Sequence, residues 1–298
     1  LASRVLAVAV LCLAAVATAA QAEPIVVRHA QGEITLPDRP KTVLVFDLAT
    51  LDTLDALGIG VAGVPGSNIP DYLAKYRGED YIKIGSLFEP DYETVHAARP
   101  DLIVIGGRSA ARYGELSRIA PTIDLTVPPE DFLDGARRNI ELIGAIFGKE
   151  REAAAKLGEI DAALEALRAR AGDAGRVLIL MTNGGKITAY GRGSRFGWVH
   201  DIGFQPAVDD VTAATHGEAI SFEFLHQTDP DWLIVIDRDA AVGRAGDAAR
   251  RTLDNELVAA TSAARNGRIL YVDTARWYLV GGGLDALRFM IDELAAAL

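Results

Sequence analysis

A sixteen-residue stretch occurs twice in this chain, 130 residues apart. Glu93-Thr-Val-His96-Ala-Ala-Arg-Pro100-Asp101-Leu-Ile-Val-Ile-Gly-Gly-Arg108 returns as Glu223-Phe-Leu-His226-Gln-Thr-Asp-Pro230-Asp231-Trp-Leu-Ile-Val-Ile-Asp-Arg238. Glu, His, Pro, Asp and Arg recur at the same offsets. Solenoid repeats have units of about 20–50 residues, so this period implies a duplicated unit instead. The expectation is two similar lobes with a surface between them where function would sit.

The local pattern is α/β. Val26 to Leu36 reads as a hairpin turning near Gln31-Gly32, and Val43 to Phe46 as a buried strand. Leu48 to Leu57 has apolar spacings of three and four and stops at Gly58, as a helix does. Ile59 to Val64, Leu102 to Ile105 and Thr122 to Leu125 are short apolar runs between helical segments, which predicts a parallel sheet covered on both faces. Asp131 to Ala171 is helical with a break at Gly148, and its second part reads as a rigid strut. Arg176 to Met181 restarts the strand pattern, Arg268 to Val272 adds another strand, and a helix from Leu284 to Leu298 closes the second lobe. The expected architecture is therefore two Rossmann-like lobes, parallel sheets covered by helices, joined by a long rigid helix with a ligand cleft between them. The divisions are 23–148 for the first lobe, 149–171 for the connecting helix and 172–298 for the second lobe.

Residues 1–22 read as a signal peptide: Arg4, an apolar run from Val5 to Val16, and Ala20-Gln21-Ala22 as a cleavage site. That run is shorter than the about 20 residues a membrane span needs. Cys12, the only cysteine, lies inside it behind Leu11, which is too large for a lipid-attachment site, so no stable membrane anchor is expected. The remainder has neither thiol nor disulfide and must be held by its core. A net charge of −11 argues against nucleic acid as partner, but a few arginines gathered in a cleft can still hold a small anion.

Arg108 and Arg238 each follow a buried strand, at the sheet edge where open α/β folds bind ligands, and could face each other across the cleft. Arg195 lies in the basic, glycine-rich turn Gly191-Arg-Gly-Ser-Arg195-Phe-Gly197, suited to an anion but without nucleotide-loop spacing. By its own surroundings His216 reads as an ordinary loop histidine, and Tyr278 as aromatic packing. The doubled Glu-x-x-His could be half of a di-iron site, but its helices are too short for a bundle. Glu93 and Glu223 are better read as matched exposed acids, one per lobe, for a partner with two-fold symmetry. No nucleophile elbow, zinc-protease motif or catalytic cysteine occurs.

Gly193-Ser-Arg-Phe-Gly-Trp-Val-His-Asp201, His216-Gly217 ahead of Ser221-Phe-Glu-Phe, and Trp277-Tyr-Leu-Val-Gly-Gly-Gly-Leu284 together resemble the periplasmic ferric-siderophore-binding proteins of ABC importers. The likeness is closest to the subgroup that takes up catecholate complexes of the enterobactin type. It implies a non-enzymatic periplasmic binding protein, monomeric, without intrinsic cofactor, whose Fe(III) arrives as part of the siderophore. It implies Arg108, Arg195 and Arg238 as a cationic floor, and His216 and Tyr278 as iron ligands when the siderophore leaves positions open. It also implies that Glu93 and Glu223 dock onto the ABC permease dimer. Many relatives carry a lipid-attachment signal that this chain lacks, which implies a free periplasmic protein. A haem or cobalamin carrier on the same fold, and a metal-dependent enzyme, are the alternatives.

Overall fold

The computed structural model describes residues 24–211, 217–244 and 248–298. The segment read as a signal peptide and His216 lie outside these residues. Among the described residues no helix is long and apolar enough to cross a membrane.

The first lobe begins with the expected hairpin, β1 (Ile25–His29) paired antiparallel with β2 (Gly32–Leu36). Then follow β3 (Val43–Val45), α1 (Leu48–Ala56), β4 (Gly63–Val64), β5 (Ile82–Lys83), α2 (Tyr92–Ala98), β6 (Leu102–Ile105), β7 (Thr122–Asp124) and α3 (Phe132–Phe147). Strands β3 to β7 form a parallel sheet in the order β5-β4-β3-β6-β7. Chain order reverses between β3 and β6, which opens a crevice beyond their carboxyl ends. Gly148 ends α3 in the left-handed conformation (φ 68°), and α4 (Glu150–Ala171) leads to the second lobe.

That lobe contains β8 (Arg176–Asn183), β9 (Lys186–Tyr190), β10 (Gln205–Pro206), β11 (Glu218–Ile220), α5 (Phe222–Thr228), β12 (Trp232–Asp237), β13 (Ile269–Tyr271) and α6 (Leu284–Ala297). Its sheet runs β11-β9-β8-β12-β13, with β10 paired to the start of β8. The central strands β8, β12 and β13 are parallel, as expected, but β9 lies antiparallel to β8 and β11 antiparallel to β9. Gly184 and Gly185 explain the difference: both have positive φ (57° and 79°), so β8 turns straight back as a hairpin where β3 crosses over through α1.

The duplicated stretch builds the same unit twice. Helix α2 is capped by Asp91 and α5 by Ser221, each side chain accepting a backbone N–H three residues on. Both helices end in a left-handed non-glycine residue, Arg99 (φ 45°) and Asp229 (φ 42°), directly before a buried proline. The next aspartate ties this turn to the neighbouring strand. Asp101 accepts the N–H groups of Lys41 (2.9 Å) and Thr42 (2.7 Å) beside β3, and Asp231 accepts that of Arg176 (2.8 Å) in β8. The repeated Pro-Asp is therefore structural.

Alternate residues along the parallel strands feed different cores. Leu44, Ile103 and Ile105 face an outer cluster in the first lobe, and Leu178, Leu180, Leu233 and Val235 one in the second. Val43, Val45, Val104, Ile179 and Ile236 instead join a single cluster with α1, α3, α4 and α6, continuous through both lobes. Helix α6 packs on α4 and on α1, so it does more than close the second lobe. Asp52 of α1 accepts the N–H groups of Asp285 (2.8 Å) and Ala286 (3.2 Å) at the start of α6. Gly283 permits this approach, because a Cβ there would lie 2.5 Å from an Asp52 carboxylate oxygen. Swinging one lobe would tear this shared apolar layer, so only small relative motions are cheap.

Candidate ligand-binding cleft

Arg108 and Arg238 stand at the order reversals of their two sheets. The chain leaves β6 through Gly106-Gly107, with Gly106 packed so closely on Asp47 at the end of β3 that a Cβ would lie 2.6 Å from its carboxylate. Arg108 therefore emerges into the crevice. Burial pushes the Asp47 carboxyl up, against hydrogen bonds from Thr50 and the charge of Arg108. In the second lobe Arg238 directly follows β12, and its Nη1 donates to Asn183 Oδ1 at the end of β8 (3.0 Å). Arg195 comes from the glycine-rich turn after β9. A Cβ at Gly197 would lie 2.6 Å from the Gly191 carbonyl oxygen, so only glycine lets that turn close.

All three guanidiniums meet at Tyr278. It sits on a π-helical turn, Ala275–Val280, a wide turn common at functional sites. Inside that turn Trp277 is buried and its indole N–H donates to Glu293 (2.7 Å), so Tyr278 is turned outward. Arg108 reaches across from the first lobe and donates to the carbonyl oxygens of Tyr278 (2.6 Å) and Leu279 (3.0 Å). Arg195 also donates to the Tyr278 carbonyl and lies over its ring, 4.4 Å from the ring centre. Arg238 Nε donates to the Tyr278 hydroxyl oxygen (3.0 Å). The guanidinium carbons of Arg108 and Arg238 lie 5.6 and 5.8 Å from the ring centre.

These four side chains line a cavity of about 880 Å³ between the lobes. Part of its lining is aromatic. Phe132, Trp198 and Trp277 follow one another there with ring centres 5.6 and 5.3 Å apart. The rim holds two residues that the repeat and the motifs did not disclose, Phe88 and Lys186. Lys186 is exposed and pairs through its backbone with Asn183 where β9 begins. It follows the glycine hairpin, whose turn composition was the available signal; Phe88 lies in a loop with no periodicity to expose it.

Burial lowers the Arg108 guanidinium, against the charges of Asp47 and Tyr278. Burial, then the charge of Arg108, brings the Arg195 guanidinium down to about 10, so it stays protonated at neutral pH. Burial would raise the Tyr278 hydroxyl, but the hydrogen bond from Arg238 and the charges of Arg195, Arg238 and Arg108 outweigh it and hold the phenol below its ordinary value. Burial raises Tyr72, Tyr76 and Tyr190. Spectrophotometric titration of phenolate absorbance should therefore show an early-ionising tyrosine that Tyr278→Phe removes. An unchanged first step would mean that the arginines do not act on Tyr278. The arrangement can neutralise a multiply charged anion and offer a phenolate oxygen to a hard cation within it.

Glu93 and Glu223 are both exposed, each second in its helix, and they do not join the cleft. Glu223 is held below the usual carboxylate range by its own backbone N–H and by Ser221. The two helices occupy matching places after a strand of each sheet, so each lobe presents one of the acids. Among the described residues no three His, Cys, Asp or Glu side chains gather as a metal site.

Known proteins share this architecture. YclQ, the petrobactin-binding protein of Bacillus subtilis, is 40% identical over 278 residues, covering 91% of this chain and 87% of YclQ. FatB, the ferric-anguibactin-binding protein of Vibrio anguillarum, is 32% identical over 281 residues, covering 91% and 86%. The crystal structure of VctP, the periplasmic catecholate-siderophore binding protein of Vibrio cholerae, superposes with a TM-score of 0.87 at 36% identity, over 92% of this chain and all of that one. The periplasmic binding protein profile matches residues 43–275, from β3 into the turn that carries Tyr278, and the chain belongs to that family.

Proposed function

We propose that this protein captures a ferric catecholate siderophore in the periplasm and passes it to an ABC permease without catalysing any reaction on it. The observation that carries this reading is the convergence of Arg108, Arg195 and Arg238 on Tyr278. The relatives support it: YclQ is named for petrobactin, FatB for ferric anguibactin and VctP for a catecholate siderophore.

Six phenolate oxygens around Fe³⁺ leave a complex of formal charge about −3, and a guanidinium about 4 Å from one unit of that charge contributes about 4 kcal/mol before desolvation at an effective dielectric of about 20. Three arginines therefore match the whole charge. A complex that supplies only four oxygens leaves two positions open. Tyr278, already biased towards phenolate, fills one in this reading, and His216 the other. Fe(III) is cargo here, carried inside the ligand. Residues 1–22 act as the export signal, and lobes 23–148 and 172–298 stand on the helix 149–171. The monomer docks through Glu93 and Glu223, one acid to each half of a permease dimer.

Two of the three tryptophans line the cavity, so their emission reports on a bound ferric complex. In such a titration His216→Ala and Tyr278→Phe should each weaken a tetradentate ferric catecholate at least about tenfold more than a hexadentate one. Equal losses for both complexes would show that neither residue touches iron. A Soret shift with haem, and no response to ferric catecholates, would overturn the function itself.

A further inference from the structure

Phe88 is 55% exposed on the rim of the cleft. Leaving a phenyl group in water forgoes burial that a loop could usually provide by folding it under. This loop is held open instead. Gly85 and Pro90 form a bridge across its base, and Ser86 N–H donates to the Glu89 carbonyl (2.9 Å). The Ser86 hydroxyl oxygen accepts the N–H groups of Phe88 (3.2 Å) and Glu89 (3.0 Å). Arg112 clamps the far side by an ion pair with Glu89 and a bond to the Phe88 carbonyl (3.4 Å). Gly85 has φ 109°, and a Cβ there would lie 2.4 Å from the Glu89 carbonyl oxygen, so the tight base requires glycine. The ring is thus presented by a fastened platform, on the lobe opposite Arg195, Arg238 and Tyr278.

We infer that Phe88 is a specificity-determining wall that stacks on an aromatic ring of the bound chelate, so that the cleft selects aryl chelators and not negative charge alone. This rests on the function proposed above. The Coulomb attraction of the three guanidiniums reads charge and distance only, so by itself it separates a catecholate poorly from another anion of equal charge. A phenyl face adds a term that depends on the ring: offset or edge-on contact between π systems, beyond the area both rings remove from water. Placed on the first lobe, it lets a ligand seated on the arginines engage both lobes.

The test uses the whole protein and the ferric complex of 2,3-dihydroxybenzoate, with affinity read from tryptophan quenching. Phe88→Ala should weaken binding about tenfold, Phe88→Leu nearly as much, and Phe88→Tyr should bind like the wild type. The loss should be the same at about 0.05 and about 0.5 M salt, since it is not electrostatic. Thermal melting should not move, because the ring packs on little. Alanine binding within about twofold of wild type, or leucine equal to phenylalanine, overturns the inference and leaves the proposed function standing. Failure of the wild type to bind the complex overturns both.

Discussion

Arg195→Ala is expected to weaken binding of a ferric tris-catecholate by about 10- to 100-fold, the loss of a charge-assisted contact worth about 1.5–3 kcal/mol. Among the three cations Arg195 lies closest over the Tyr278 ring, and burial makes water screen it least. Lysine at this position keeps a charge but loses the planar fork that both bonds the Tyr278 carbonyl and stacks on its ring. Arg195→Lys should therefore recover only part of the loss. Titration at two salt concentrations separates the contributions: the alanine variant should show a weaker salt dependence than wild type. Affinity unchanged in Arg195→Ala would remove the electrostatic basis of the proposed function.

The second large effect concerns stability and its pH dependence. Burial raises the Asp52 carboxyl to about 6, against hydrogen bonds from Tyr72 and from the N–H groups of Ala286 and Asp285, with the nearby Asp285 charge adding to the rise. A carboxyl raised in the folded state takes up its proton on folding between about pH 4 and about pH 6. That contribution is fully present below this window and is lost as pH rises through it, by up to about 3 kcal/mol. Asp52→Asn resembles the protonated acid. Its amide oxygen can accept the same N–H groups, and its amide N–H can donate to the Tyr72 hydroxyl oxygen. Chemical denaturation should find the variant more stable than wild type by about 2 kcal/mol near pH 7.5, with the two converging near pH 4. A variant less stable at both pH values would show that the charge on Asp52 holds the α1–α6 junction together.

Much of the cleft was legible because its residues sit at positions the repeat already marks. Arg108 and Arg238 occupy the same offset after a buried strand, and strand ends in such sheets are where ligands bind. Arg195 was legible from glycines that only a tight turn uses. Tyr278 was not legible from pattern: it lies beside a tryptophan, and nothing in their order tells which ring goes in. The bond from Trp277 to Glu293, sixteen residues later, decides that. The antiparallel return of β9 was signalled by Gly184-Gly185, but the strand periodicity beyond it does not reveal direction. Phe88 and Lys186 became visible only when both lobes met around one cavity.

By itself the chain order determined the duplication, the two lobes, the break at Gly148 and the strand ends that offer cations, because apolar period, proline and glycine act over a few residues. Only the tertiary structure decided that three guanidiniums share one tyrosine, that a single core runs through both lobes, and which aromatic faces the cleft. These are contacts between residues 16 to 231 positions apart, such as Trp277 with Glu293, Arg238 with Tyr278, Arg108 with Tyr278 and Thr53 with Leu284. Such contacts depend on how separate elements pack and how burial shifts each group, and neither is a property of local order.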